Sequence, residues 1–172
     1  MKTLATKKTT SLTMRCLKAA LPLAALLSSA YTFAGSCPDA QSIKGEKSNG
    51  TYVYTSGDWR GTNEDSGIFD DTSYANETLK FNRVTISQRK VGTQGEAAED
   101  KAGDIISFVK CDYVGTGKDA RVRLSKRFST LPTADAGTWE PETIEKNGKK
   151  EVVLNSAGTE NKYCKSQDCT FK

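Results

Sequence analysis

The segment at residues 104–128, DIISFVKCDYVGTGKDARVRLSKRF, carries the clearest structural signal in the sequence. Two runs rich in β-branched and aromatic residues flank the glycine-containing stretch GTGKD, and this pattern is typical of a β-hairpin. Apolar and basic residues alternate in the second run, which predicts one face on a core and one face in solvent. Val122, Leu124 and Phe128 are expected to point toward the core.

Further strands are predicted on both sides of this hairpin, at residues 50–59, 78–90 and 150–158, because these stretches are also β-branched and bounded by turn residues. Within residues 78–90 the apolar positions change phase, from Leu79 and Phe81 to Val84 and Ile86. Such a change predicts a β-bulge or burial on both faces. No amphipathic crossover helix separates the strands, so an antiparallel sheet is expected.

One short helix is predicted before the first strand, in the stretch SCPDAQSIKGE at residues 36–46. Ser36 suits the N-cap, Pro38 suits the first turn and Gly45 suits the end of the helix. The predicted fold class is therefore mainly β: a small antiparallel sheet domain with one short N-terminal helix, held together by two disulfides.

Residues 1–34 have the order of a secretory signal peptide, in which a basic leader precedes the apolar run AALPLAALLSSAYTFA. This run is too short and too interrupted for a membrane span of about 20 apolar residues. Cleavage is predicted before Gly35, which leaves residues 35–172 as a single domain. Cleavage before Tyr31 and an uncleaved anchor are the alternatives, and acylation of Cys37 is disfavoured because Ala34 stands where a lipobox has leucine.

The leader also accounts for the positive charge of the full chain. It contains five basic residues and no acidic residue, so its removal leaves 20 basic against 21 acidic residues. The remaining net charge is about −1, which gives no support to a nucleic-acid or anionic-membrane partner.

Four cysteines remain after the leader, and an even number in an exported chain predicts two disulfides. They are Cys37, Cys111, Cys164 and Cys169. The chain has no histidine, and the C-x4-C spacing has no matching partner, so no metal site is expected. The last two cysteines are expected to hold the end of the sequence in place, with Phe171 packed beside them.

Two disulfide arrangements compete. One joins Cys37 to Cys111 and Cys164 to Cys169, which closes one long and one short loop. The other joins each of the last two cysteines to Cys37 or Cys111, which would pin both ends of the domain to the central sheet. The second arrangement is preferred at this point, because chain ends otherwise fray.

The absence of histidine excludes Ser-His-Asp and Cys-His catalysis. Neither a P-loop nor a dinucleotide-binding glycine motif is present. A cluster of carboxylates at Glu64, Asp65, Asp70 and Asp71 is the remaining catalytic candidate, since paired acids hydrolyse glycosides. The cluster lacks the alternating pattern of a calcium loop, and a solvated acidic loop is the preferred interpretation.

Basic and aromatic residues form a candidate binding surface. Arg121, Arg123 and Arg127, with Lys110 and Lys126 nearby, are predicted to form a stripe on one sheet face that suits an acidic protein or a polyanion. Trp59 and Trp139 are flanked by loop residues and are candidate binding anchors. The alternatives are an ordinary solvent-facing sheet surface for the arginines and packing at a core edge for the tryptophans.

Several motifs follow one another in order along the chain: SCPDAQSIK, GTYVYTSGDWRGTNE, FVKCDYVGTGKDARVRLSKRF, Trp139 and YCKSQDCTFK. In this order the chain resembles a family of small exported proteins of unknown function found in Legionella and related gammaproteobacteria. The resemblance spans residues 37–171. It implies a bacterial exported protein in which the four cysteines and Trp59 are framework residues, and it transfers no catalytic residue.

These observations predict a non-catalytic binding module, secreted or periplasmic, for an unidentified protein or glycan partner of the host or envelope. No cofactor is expected. A small inhibitor of an envelope or host hydrolase, which would present the loop at residues 61–77, is the first alternative. A carboxylate-dependent glycan hydrolase is the second.

Overall fold

A large antiparallel sheet dominates the structure, a computed structural model that describes residues 34–69, 72–75, 78–92, 99–117 and 120–172. The strands in these ranges are β1 (Lys44–Ser48), β2 (Thr51–Ser56), β3 (Trp59–Thr62), β4 (Lys80–Lys90), β5 (Ile105–Val114), β6 (Arg121–Phe128), β7 (Glu140–Pro141), β8 (Thr143–Lys146), β9 (Lys149–Val152) and β10 (Lys162–Cys164). Eight of them form one sheet in the order β1-β2-β3-β6-β5-β4-β10-β7, while β8 and β9 form a separate hairpin. The prediction of a mainly β, antiparallel fold is confirmed.

The hairpin predicted at residues 104–128 lies in the middle of the large sheet, where β6 is paired with β5 along the whole length of β6. Val122 and Leu124 are buried, and Phe128 packs against the core from its edge, as the alternation predicts. The register between β4 and β5 shifts between Phe81 and Arg83. The predicted bulge is therefore present, and it lets apolar residues on both sides of Asn82 reach the same face.

Strand register aligns four core residues across the sheet: Cys164 on β10, Val84 on β4, Cys111 on β5 and Leu124 on β6. All four are buried, and this set is called the core row below. Tyr54, Trp59, Tyr113 and Phe171 are among the other residues of the same cluster. The ring of Phe171 makes edge-to-face contacts with Trp59 and Phe128, at centroid distances of 6.3 and 5.8 Å.

The disulfides join Cys37 to Cys111 and Cys164 to Cys169, with Cα–Cα distances of 5.8 and 6.4 Å. The preferred crossing arrangement was therefore wrong. The register explains part of this outcome, because Cys164 and Cys111 lie two strands apart in the core row. Two strand spacings place their Cα atoms about 10 Å apart, beyond the roughly 7 Å that a disulfide can span.

The end of the sequence is held down as predicted. Phe171 exchanges two backbone hydrogen bonds with Gly35, and Lys172 exchanges two with Thr133. Phe171 is buried in the same core cluster as Cys164 and Cys169. These contacts fix both ends of residues 35–172 against the same part of the core.

The predicted N-terminal helix is not confirmed. A single 3₁₀ turn, Ala40–Ser42, stands in its place, and the side chain of Asp39 rather than Ser36 caps it by accepting a hydrogen bond from the Gln41 amide. Gly45 lies within β1, where a Cβ atom would come within 2.7 Å of the Ala75 side chain. Close packing therefore explains the glycine, and the extended chain from Ile43 onward forms a strand instead.

One junction in the sheet is short. β3 meets β6 through the single recorded pair Arg60 and Ser125, although β3 is fully paired with β2 on its other side. A Cβ atom at Gly61 would collide with the carbonyl oxygen of Arg123, so glycine permits this approach. The Ser66 hydroxyl accepts a hydrogen bond from the Arg123 amide at 2.9 Å and completes the pairing of β6 there.

Some predictions concern residues outside the described ranges. These are the signal peptide through residue 33, and Lys118 and Asp119 of the hairpin turn. Within the described ranges, no helix has the length and apolar character needed to cross a membrane.

Candidate functional site

The face of the sheet opposite the core is rich in basic residues. Alternation along β6 places Val122 and Leu124 on the core side and the odd-numbered residues on the other. Ser125, on that other side, pairs directly with Arg60 on β3 and with Lys110 on β5, and Lys110 pairs in turn with Thr85 on β4. Arg60, Ser125, Lys110 and Thr85 are called the groove row below.

A buried carboxylate organises the next row of this face. Asp112, only 9% exposed, accepts hydrogen bonds from Arg123 Nε at 2.6 Å and Arg123 Nη2 at 3.2 Å. Its Oδ2 also accepts one from Arg83 Nε at 3.1 Å. The hydrogen bond with Asp112 raises the pKa of Arg123 above its usual value. Asp112 therefore holds two guanidinium groups on neighbouring strands in fixed positions.

Lys110 occupies a less favourable electrostatic environment. Burial lowers its pKa, and the nearby charge of Arg123 lowers it further. Its Nζ lies 4.7 Å from the centroid of the Phe108 ring, a distance that allows a cation–π contact. An anion brought next to Lys110 would raise its pKa again.

A groove of about 470 Å³ runs across β3, β6, β5 and β4 on this face. Five cationic residues line it: Arg60, Arg89, Lys110, Arg123 and Arg127. Among the described residues that line the groove, Asp65 is the one carboxylate. Its Oδ2 already accepts hydrogen bonds from the Thr62 amide and hydroxyl at 2.8 and 2.9 Å. We call this feature the basic groove.

The structure separates the three predicted arginines. Arg123 and Arg127 line the basic groove, and Arg127 is anchored by a 2.6 Å ion pair with Asp100. Arg121 does not line it; its Nη2 donates to the Gly67 carbonyl oxygen at 3.0 Å. Lys110 lines the groove, whereas Lys126 lies on the core side of β6 and pairs with Asp58 at 3.1 Å.

Neither tryptophan contributes to the groove. Trp59 is 8% exposed and packs in the core against Phe171, so it is a core residue rather than a surface anchor. Trp139 is half-buried against the same core, and its indole N–H donates to the Ala136 carbonyl oxygen at 2.9 Å. Packing at the core edge, the alternative interpretation, describes both residues.

The acidic loop is only partly described. Glu64 and Asp65 belong to the 3₁₀ turn Glu64–Ser66, whereas Asp70 and Asp71 lie outside the described residues. Across the described part of the chain, no three metal-binding side chains come together in a cluster that would hold an ion.

Sequence reasoning missed Arg60 and Arg89. Local alternation carried a signal for Arg60, because it follows the inward-facing Trp59 and so points to the opposite face. Its position next to Ser125, however, depends on the pairing of β3 with β6, which are more than 50 residues apart along the chain. No local pattern indicates that pairing.

Comparison of the chain with protein-family models, with curated proteins and with solved structures finds no significant match. The resemblance to exported Legionella proteins therefore stays a prediction.

Proposed function

We propose that this protein is a non-catalytic binding module, exported from a bacterial cell, that binds an acidic partner through the basic groove. The partner is an acidic protein segment or an anionic glycan of the envelope or host. The observation that carries the proposal is the groove lining, in which five cationic residues face one already bonded carboxylate.

The distribution of charge supports this proposal. The chain without its predicted leader has a net charge of about −1 by its composition. Positive charge is nevertheless concentrated on one face of the sheet, where Asp112 and Asp100 hold Arg123 and Arg127 in place. A rigid cationic surface loses little conformational freedom when it binds an anion, which favours affinity.

The scaffold fits a role outside the cytoplasm. Two disulfides indicate an oxidising compartment. Because the chain has no histidine, the positive charges of the groove come from arginine and lysine alone.

Poly-L-glutamate is a suitable first probe, with the oxidised protein recovered from the periplasm or medium. We expect binding that weakens with salt, and a loss of affinity of about tenfold in the Arg60→Gln/Lys110→Gln double variant. Isothermal titration calorimetry measures both quantities.

The matched control is Lys149→Gln/Lys150→Gln, which removes the same charge from the exposed strand β9. We expect the control to bind as the wild type does. An equal loss in both double variants would mean that net charge alone drives binding, and the proposal would then be wrong.

A further inference from the structure

We infer that the basic groove contains a site for a phosphate monoester, centred on Ser125. This inference rests on the proposed function and names the chemical group that the groove binds. Ser125 is the smallest member of the groove row, and longer cationic side chains surround it on four sides.

Two of these cations flank Ser125 across the sheet. Arg60 and Lys110 are its direct partners on β3 and β5, and such pairs have Cβ atoms about 5 Å apart. The other two, Arg123 and Arg127, lie two residues before and after Ser125 on β6, about 7 Å away along the strand. All five residues line the basic groove.

Within the described part of the chain, the donors nearest to Ser125 form no hydrogen bond or ion pair with an acidic side chain. There, the Ser125 hydroxyl makes no hydrogen bond, Arg60 forms no ion pair, and Lys110 forms no ion pair but places its Nζ over the Phe108 ring. Beyond Lys110 in the same row, the Thr85 hydroxyl oxygen is buried and has no hydrogen-bond partner among the described residues. Buried polar groups are normally satisfied, so this unpaired hydroxyl is unusual, although Thr85 itself does not line the basic groove.

The neighbouring row shows what would complete it. Two residues along β5 from Lys110, Asp112 supplies an anion between Arg83 and Arg123 and bonds to both. The groove row has cations on both sides of Ser125 but no carboxylate of its own. An external anion at Ser125 would lie between Arg60 and Lys110, as Asp112 lies between Arg83 and Arg123.

The number of donors favours a phosphate monoester over a carboxylate. A phosphate monoester carries a charge of about −1.5 to −2 and three strong acceptor oxygens. A carboxylate carries one charge and two oxygens, and would leave more of the surrounding donors unused. An arginine fork suits phosphate oxygens, while lysine contributes a point charge.

The groove has room for more than the phosphate. Its volume of about 470 Å³ is within the range of small-molecule sites. Ile106 and Phe108, 8% and 7% exposed, line it beside the cations and offer apolar contacts to a carrier such as a sugar ring. The carrier is either a soluble sugar phosphate or the headgroup of an envelope lipid.

Titration of the exported, oxidised protein with glucose 6-phosphate, glucuronate and glucose tests the site. We expect glucose 6-phosphate to bind at least tenfold more tightly than glucuronate, and glucose not to bind. In nuclear magnetic resonance spectra the amide shifts should centre on Arg60, Lys110 and Ser125.

Ser125→Asp is the decisive variant, because it places an internal carboxylate where the phosphate would bind. We expect it to abolish binding of glucose 6-phosphate, and Lys110→Met to weaken it, while Lys149→Gln/Lys150→Gln leaves it unchanged. Unchanged binding in Ser125→Asp would overturn the inference. Lys110→Met provides the same test if Ser125→Asp does not fold.

The two proposals fail in different ways. If the Arg60→Gln/Lys110→Gln variant loses poly-L-glutamate binding but glucose 6-phosphate binds no better than glucuronate, the phosphate site is wrong and the binding module stands. If neither probe binds, both proposals are wrong.

Vesicles of phosphatidylcholine with and without phosphatidic acid distinguish the two sources of the phosphate group. Much tighter binding to the phosphatidic acid vesicles than to glucose 6-phosphate supports a lipid headgroup. Comparable binding supports a soluble sugar phosphate.

Discussion

The core row and the groove row cross the same strands on opposite faces of the sheet, one residue apart along β4, β5 and β6. Apolar side chains and two disulfide cysteines fill the core row, where burial stabilises the fold. Uncommitted cations flank a serine in the groove row, and burial there lowers the pKa of Lys110. The comparison teaches that the same strands carry residues that stabilise the fold on the core face and a charged residue that destabilises it on the groove face.

The largest expected effect concerns the core row and its link to Cys37. We expect the Cys37→Ala/Cys111→Ala double variant to lose about 4 kcal/mol of unfolding free energy, because its disulfide spans 74 residues and closes a long loop. Cys164→Ala/Cys169→Ala, with a separation of 5, should lose about 2 kcal/mol. Guanidinium unfolding of both variants measures the difference. A larger loss in the second variant would contradict this account.

A smaller effect is expected in the row next to the groove row, at Asp112. Asp112→Asn leaves the guanidinium groups of Arg83 and Arg123 close together without their shared carboxylate. We expect a loss of about 2 kcal/mol, less than for a fully buried pair, because the arginine side chains are 33% and 31% exposed. Asp58→Asn is the control, since its ion pair with Lys126 lies at the surface, and it should change stability by less than about 0.5 kcal/mol. Equal losses in chemical denaturation would show that Asp112 has no special role.

The smallest effect has the opposite sign and concerns the groove row. The folded protein lowers the pKa of Lys110, so the charged lysine destabilises the fold at every pH below that lowered value. We expect Lys110→Met to stabilise the protein by about 0.5–1 kcal/mol at pH 7. The gain should shrink as the pH rises from the lowered pKa toward the ordinary lysine value of 10.5.

Unfolding curves of wild type and Lys110→Met at pH 7 and pH 10 check both the sign and its pH dependence. Lys149→Met, on an exposed strand, is the control and should show neither effect. A destabilised Lys110→Met variant at pH 7 would remove the distinction between the two faces. A stabilised Lys110→Met variant that binds glucose 6-phosphate less well would strengthen the distinction, because Lys110 would then serve binding at the expense of stability.

The sequence predicted the local parts of this molecule. The β5–β6 hairpin and the bulge at Asn82 follow from the period of two along single strands, and the number of disulfides follows from the cysteine count. These features depend on neighbours in the chain, which a sequence displays directly.

The parts that were wrong or missed depend on distant pairings. The disulfide connectivity follows from the register that places Cys164 two strands from Cys111. The position of Arg60 beside Ser125 follows from the pairing of β3 with β6. The helix predicted before β1 gave way to a strand because β2 was available as a partner, a tertiary effect that outweighs local propensity.

The short junction between β3 and β6 has a consequence for motion. Backbone pairing there is limited to Arg60 and Ser125, so the three-stranded unit β1-β2-β3 is attached to the rest of the sheet by fewer backbone bonds than hold β5 to β6. Local opening concentrates where few such bonds must break, and amide protons at such places exchange fastest with solvent. The basic groove lies across this junction. An anion that bridges Arg60 and Lys110 would therefore oppose local separation of β3 from β6 and slow amide exchange on these two strands.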